Sequence, residues 1–156
     1  MLFIIIKFNF ISGFEPRSAS VSIQILHSGT FHWVLCAKCD TRLLFLDSLN
    51  KSPSPDVVRQ IVQLHPEKVL QDMLHMHILP VQQQSNATDC GVFAISNAFQ
   101  LLGENNVPSV VCYDEKKMRS HLISCFEKES IAPFPKCPEI SAVSQGRIRS
   151  VKCYIK

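Results

Sequence analysis

Three runs rich in apolar and β-branched residues, separated by short polar or turn-forming stretches, occupy the first third of the chain, and this pattern predicts strands. The first covers residues 20–29 (SVSIQILHSG) and ends in a turn. The second covers 30–37 (TFHWVLCA) and is rich in β-branched and aromatic residues. The third covers 41–49 (TRLLFLDSL), and the short KCD gap before it predicts a hairpin. NKSPSPD then breaks the pattern. Ser54 suits a helix N-cap, Pro55 the first helical position and Asp56 the positive helix end, with Val57, Val58, Ile61 and Val62 as the apolar face. HMHILPVQ returns to an extended strand that stops near Pro80. A second helix is expected from about Asp89 to Leu102, with Thr88 as candidate N-cap, Val92, Ile95, Phe99 and Leu102 at helical spacing, and Gly103 as its stop. A third begins at Asp114 and buries Met118, Leu122 and Cys125, with Phe126 beside them. Prolines at 133, 135 and 138 predict an irregular stretch beyond Ser130. The sum is an α+β fold with a small mixed or antiparallel sheet and helices packed against it. The chain divides into an N-terminal segment 1–19, a main domain 20–130 and an irregular basic tail 131–156.

Composition narrows the class. The chain has 156 residues, 46% hydrophobic and 19% charged, which describes a folded globular domain with a core. A net charge of +3 is too small to argue for nucleic acid, and the basic ending RIRSVKCYIK reads as a solvated tail. The opening MLFIIIKFNF is interrupted at Lys7 and is shorter than the roughly 20 residues of a spanning helix; no small-residue cleavage site follows, and its alternation suits a strand. No membrane partner is expected. Seven cysteines at irregular spacing fit reduced thiols in a nuclear or cytoplasmic compartment better than a disulfide framework. Cys36 and Cys39 form a CxxC pair near His32, but a structural zinc site needs about four ligands and no second pair is present. His75 and His77, one residue apart on a strand, share a face. No metal or other cofactor is expected.

The chemistry centres on Cys90, in QQQSNATDCGVFAISNAF (82–99). A nucleophilic cysteine needs its thiolate supported, and a sulfur in the first turn of a helix lies among unpaired N–H groups that favour it. Gly91 leaves room beside it for a carbonyl. His32, in FHWVL, is a candidate base, and Asp47, closing LFLDSL, a candidate orienter, since a hairpin brings strand ends together. Gln84, in the loop before the cysteine's helix, offers a side-chain donor for an oxyanion, with the Cys90 N–H as a second. Each residue taken singly is better explained by packing or solvation. The joint order is what points to acyl transfer.

That order, FHWVL (31–35), FLDSL (45–49) and QSNATDCGVF (84–93), resembles the ubiquitin-like-protein-specific cysteine proteases, the SUMO (sentrin) protease family, which includes the adenovirus protease. The resemblance covers about residues 23–127, and YDEKKMRSHLISCFE (113–127) resembles the terminal helix of mobile-element-encoded relatives. It implies a papain-like fold with a His–Asp–Gln–Cys order that reverses papain's. It implies His32 as general base, Asp47 as orienter, Gln84 as oxyanion donor and Cys90 as nucleophile. Trp33 would line the channel for a Gly-Gly tail, and Asn86 and Asp89 would shape the loop. The implied activity is thiol-dependent cleavage after the Gly-Gly of a ubiquitin-like modifier, the implied partner. Family domains carry more chain before the histidine strand than the thirty-one residues found here, including an upstream tryptophan, whereas Trp33 is the only tryptophan. The resemblance therefore leaves MLFIIIKFNF as either an unusual first strand or an unrelated start on a truncated domain, and points to a mobile-element-encoded or truncated member. The alternative is an inactive relative that binds a ubiquitin-like protein without turnover.

Overall fold

The computed structural model describes residues 21–103, 111–138 and 147–155. The alternation predicted at the N-terminal FNFIS lies outside them. Three strands open the described chain: β1 (Val21–His27), β2 (Trp33–Cys39) and β3 (Arg42–Leu46), antiparallel neighbours in that order. Cys39 faces Arg42, so Asp40 and Thr41 make a two-residue turn, with Asp40 at a φ of 53°. Such short hairpins need the left-handed region at the turn, and aspartate tolerates it.

The helix α1 (Pro55–Leu64) forms where the pattern placed it. Ser54 Oγ accepts the Val57 N–H, Pro55 takes the first position, and Val57, Val58 and Ile61 are buried. A 3₁₀ turn (Pro66–Lys68) leads into a tight hairpin of β4 (Val69–Leu70) and β5 (Met73–Ile78). Its turn residues Gln71 and Asp72 both have positive φ, 50° and 58°, as the twist of a two-residue hairpin requires. β5 runs parallel to β3, Leu44 opposite His77 and Phe45 opposite Ile78, and this makes the sheet mixed. Two further helices follow, α2 (Cys90–Leu102) and α3 (Glu115–Glu127).

Strand period sorts the side chains onto two covered faces. Leu26, Val34, Cys36, Leu43 and Phe45 point to the α1 side, where Val57, Val58 and Ile61 meet them. Ile25, Leu35, Leu46, Ala94 and Ala98 fill the other side, where α2 packs. The buried run from Val34 to Ala37 follows from having helices on both faces. Outside α2, Phe93 meets Tyr113, Met118 of α3 and Phe134 in a third cluster. Because β3 and β5 are parallel, their C-terminal ends leave the sheet at the same edge. Asp47 follows one, and the loop to α2 follows the other.

Three sequence expectations change. The 131–156 tail is not irregular throughout: β6 (Arg149–Tyr154) pairs antiparallel with all six residues of β5. Val151, Cys153 and Ile155 pack against the α1-side core while Ser150, Lys152 and Tyr154 alternate outward. The stripe Val92, Ile95, Phe99, Leu102 is not the deepest face of α2. The helix lies between the sheet and α3, so Phe93, Ala94, Asn97 and Ala98 are more enclosed than Ile95 and Phe99. On α3, Met118 and Cys125 are buried as expected, but Phe126 points to solvent.

One buried histidine lies far from these edges. His65 caps the end of α1, near Gln24 and Glu67, and burial is the main cause that holds its pKa below the ordinary value of 6.5. The unfolded chain therefore takes up a proton there before the folded one does. Stability is full above about pH 6.5 and falls as the pH drops toward the lowered value. Urea midpoints at about pH 7.5 and about pH 5.5 should show a decrease that His65→Gln reduces. A midpoint that rises on acidification in the wild type contradicts this.

Candidate functional site

The site is built where β1–β2, the end of β3 and the start of α2 come together. Asp47, the residue after β3, is held by three donors. Its Oδ1 accepts from His32 Nε2 at 2.6 Å and from the Leu49 N–H at 2.8 Å; its Oδ2 accepts from the Lys51 N–H at 3.0 Å. Three donors on two oxygens suit an ionised carboxylate, and both Asp47 and His32 are buried. A carboxylate only accepts, so Nε2 carries the imidazole proton. In the neutral ring Nδ1 is then the atom with a lone pair for accepting a proton. The buried pair spans fifteen positions and two strand ends.

Gln84 is fastened to the residue next to Asp47. Its N–H donates to the Ser48 carbonyl at 3.0 Å, and its Oε1 accepts from Ser48 Oγ at 2.6 Å. That second bond fixes which way the amide faces. Nε2 donates to the Asn86 carbonyl. An amide nitrogen has two hydrogens, so this bond engages one of its two donors.

Asn86 organises the turn into α2. Its Oδ1 accepts the N–H groups of Thr88 (2.8 Å) and Asp89 (3.0 Å), and its Nδ2 donates to Asp89 Oδ2 at 2.7 Å. Asp89, not Thr88, occupies the N-cap position, and its carboxylate makes no capping bond. Asp89 is turned instead toward Asn86 and Arg119, whose guanidinium also donates to the Thr88 carbonyl at 3.1 Å. Arg119 thus offsets a carboxylate charge that would otherwise disfavour a second negative charge, a thiolate, at the neighbouring Cys90. Glu115 holds the same loop from below, accepting from Ser85 N–H (3.1 Å) and Oγ (2.6 Å). Sequence reasoning missed Ser48, Glu115 and Arg119. They act across long separations, and no local spacing marks them.

Cys90 opens α2 and is only 4% exposed. A packing thiol and a sulfur at the floor of a narrow slot share that burial, so neighbours must distinguish them. Gly91 faces the indole: a methyl group placed on it would lie 3.6 Å from Trp33 Cδ1. Cys90 and His32 are therefore the chain neighbours of a facing pair, Gly91 and Trp33. Trp33 is half-buried and meets His27 edge-on, with ring centroids 4.9 Å apart.

The CxxC pair behaves differently. Cys36 and Cys39 are three residues apart on β2, which puts them on opposite faces. Cys36 lies in the core, where burial pushes its thiol up to about 12. His77 lies against Ser150 of β6, at 3.3 Å from its Oγ. Among the described residues no three His, Cys, Asp or Glu side chains gather as a metal site, and no helix is long and apolar enough to cross a membrane.

No family model matches the chain, and neither does any curated protein or solved structure.

Proposed function

We propose that the chain is a cysteine-type peptidase of papain-like arrangement that cleaves after the Gly-Gly terminus of a ubiquitin-like modifier. The observation that carries this reading is the buried His32–Asp47 bond, together with the packing of Trp33, next to His32, at Gly91, next to Cys90. A histidine oriented by a carboxylate beside a helix-terminal thiol is an arrangement for nucleophilic acyl transfer. His32 Nδ1 takes the thiol proton, and the sulfur attacks the glycine carbonyl. The oxygen gains charge between Gln84 Nε2 and the Cys90 N–H, one of the first-turn amides that a helix leaves without internal partners. The C–N bond breaks as His32 protonates the departing amine, and water then hydrolyses the thioester. The Gly-Gly tail is the substrate class that the order of the His32, Asp47, Gln84 and Cys90 motifs implies, and Trp33, packed at Gly91, is the side chain that would border the tail. None of the seven cysteines, all among the described residues, is in a disulfide, in keeping with a nuclear or cytoplasmic setting.

The test is covalent capture followed by peptide mapping. The purified chain is incubated with ubiquitin-like proteins bearing a C-terminal vinyl sulfone, then digested. The expected adduct is on Cys90 alone. An adduct spread over other thiols, or binding of the modifier without any adduct, overturns the peptidase reading; the latter supports a binding module.

A further inference from the structure

The loop between β1 and β2 presents an aromatic ring with no place in the fold. Phe31 is 99% exposed. It also has a φ of 37°, in the region that bulky L-residues avoid. The tip of this loop is Gly29-Thr30-Phe31, closed by Ser28 N–H to His32 O at 2.8 Å. In a three-residue connection the last position commonly takes glycine in the left-handed conformation. Here that place is filled by phenylalanine.

The loop around it is firmly held. Ser54 Oγ, at the cap of α1, donates to the Ser28 carbonyl at 3.1 Å, and Gln60 Nε2 donates to the His27 carbonyl at 2.8 Å. Gly29 has a φ of 87°, and a Cβ there would collide with the Asp56 carboxylate. A fixed loop, a strained residue and a fully solvated ring together destabilise the free protein without any compensating internal contact. That combination is expected at recognition positions.

We infer that Phe31 is a specificity residue that packs against the aliphatic stem of the acceptor lysine, on the leaving-group side of the scissile bond. The inference rests on the peptidase reading above. The base that took the thiol proton must return it to the departing amine, so the imidazole lies on the amine side of the carbonyl. The Gln84 donor marks the oxygen side. Phe31 adjoins His32 in the chain, its Cα about 3.8 Å from that of the base. Trp33, the neighbour of His32 on the other side, packs at Gly91 beside the nucleophile, which leaves the exposed Phe31 as the neighbour available to the amine and what the amine carries. In an isopeptide conjugate that is a four-carbon lysine stem, which an aromatic face can cover while its polar end reacts.

The experiment compares wild type, Phe31→Asn and Phe31→Leu on two reagents. One is an isopeptide conjugate of the modifier. The other is the vinyl sulfone form, which has no lysine side. For Phe31→Asn, kcat/KM on the conjugate should fall about tenfold, vinyl sulfone labelling should stay within about twofold, and the melting midpoint should rise by a few degrees as strain is relieved. Phe31→Leu should recover most of the conjugate cleavage. Equal loss on both reagents, or no loss on the conjugate, overturns the role of Phe31 and leaves the peptidase reading standing. A wild type inert to both reagents overturns that reading and this inference with it.

Discussion

If the chain is the proposed peptidase, His32→Ala should lower turnover of a Gly-Gly-linked substrate by about three to four orders of magnitude, and Cys90→Ala should remove covalent capture altogether. Asp47→Asn separates orientation from proton transfer. The Asp47 carboxylate accepts from His32, Leu49 and Lys51 on two oxygens. An asparagine must turn its NH₂ toward one of them. On the Oδ2 side it meets the Lys51 N–H; on the Oδ1 side it meets the Leu49 N–H and the imidazole. Either way two donors face each other in a buried place. The expected result is a turnover loss of about two orders of magnitude or more, with folding stability reduced by about 1–3 kcal/mol. Steady-state kinetics on a fluorogenic conjugate and urea unfolding on the same samples measure the two effects. A His32→Ala chain with turnover within about tenfold of wild type removes the histidine from the mechanism.

The largest loss of stability is expected at Phe93→Ala. Phe93 is fully buried, edge-on to Tyr113 at 6.3 Å between centroids, in the cluster that joins α2 to Met118 and Phe134. Removing the ring leaves a cavity that α2, already packed on the sheet, cannot close by moving outward. The cost is about 3–5 kcal/mol. Leu70→Ala, at an exposed strand end, should change stability by less than about 0.5 kcal/mol. Denaturant midpoints with equal slopes decide it. A Phe93→Ala cost below about 1 kcal/mol contradicts the packing of α2 against α3.

Local signals carried much of the fold. The Ser54-Pro55-Asp56 run has a local cause for each residue, and α1 starts there. The hairpin of β2 and β3 was legible because its turn is short and both flanks are rich in strand-favouring apolar residues. The polar–apolar alternation of SVKCYI also marks β6, but the prolines just before it suggested irregular chain. The stripe on α2 misled because a helix enclosed on two sides has no single apolar face. At the site, the motif order led to His32 and Asp47, which the fold brings into contact. Glu115 and Arg119 bear on the loop from about thirty residues away, and only the tertiary fold puts them there.

The placement of β6 has a consequence for synthesis. Residues 32–90 leave the ribosome well before Arg149–Tyr154, yet β6 is the strand that covers the full length of β5. During that interval one side of β5, with buried Leu74, Met76 and Ile78, offers open backbone to any other nascent chain. The positive charges at Arg149 and Lys152 then act as gatekeepers. Once β6 docks, they border the sheet with like charges that discourage a second molecule from adding its own strand.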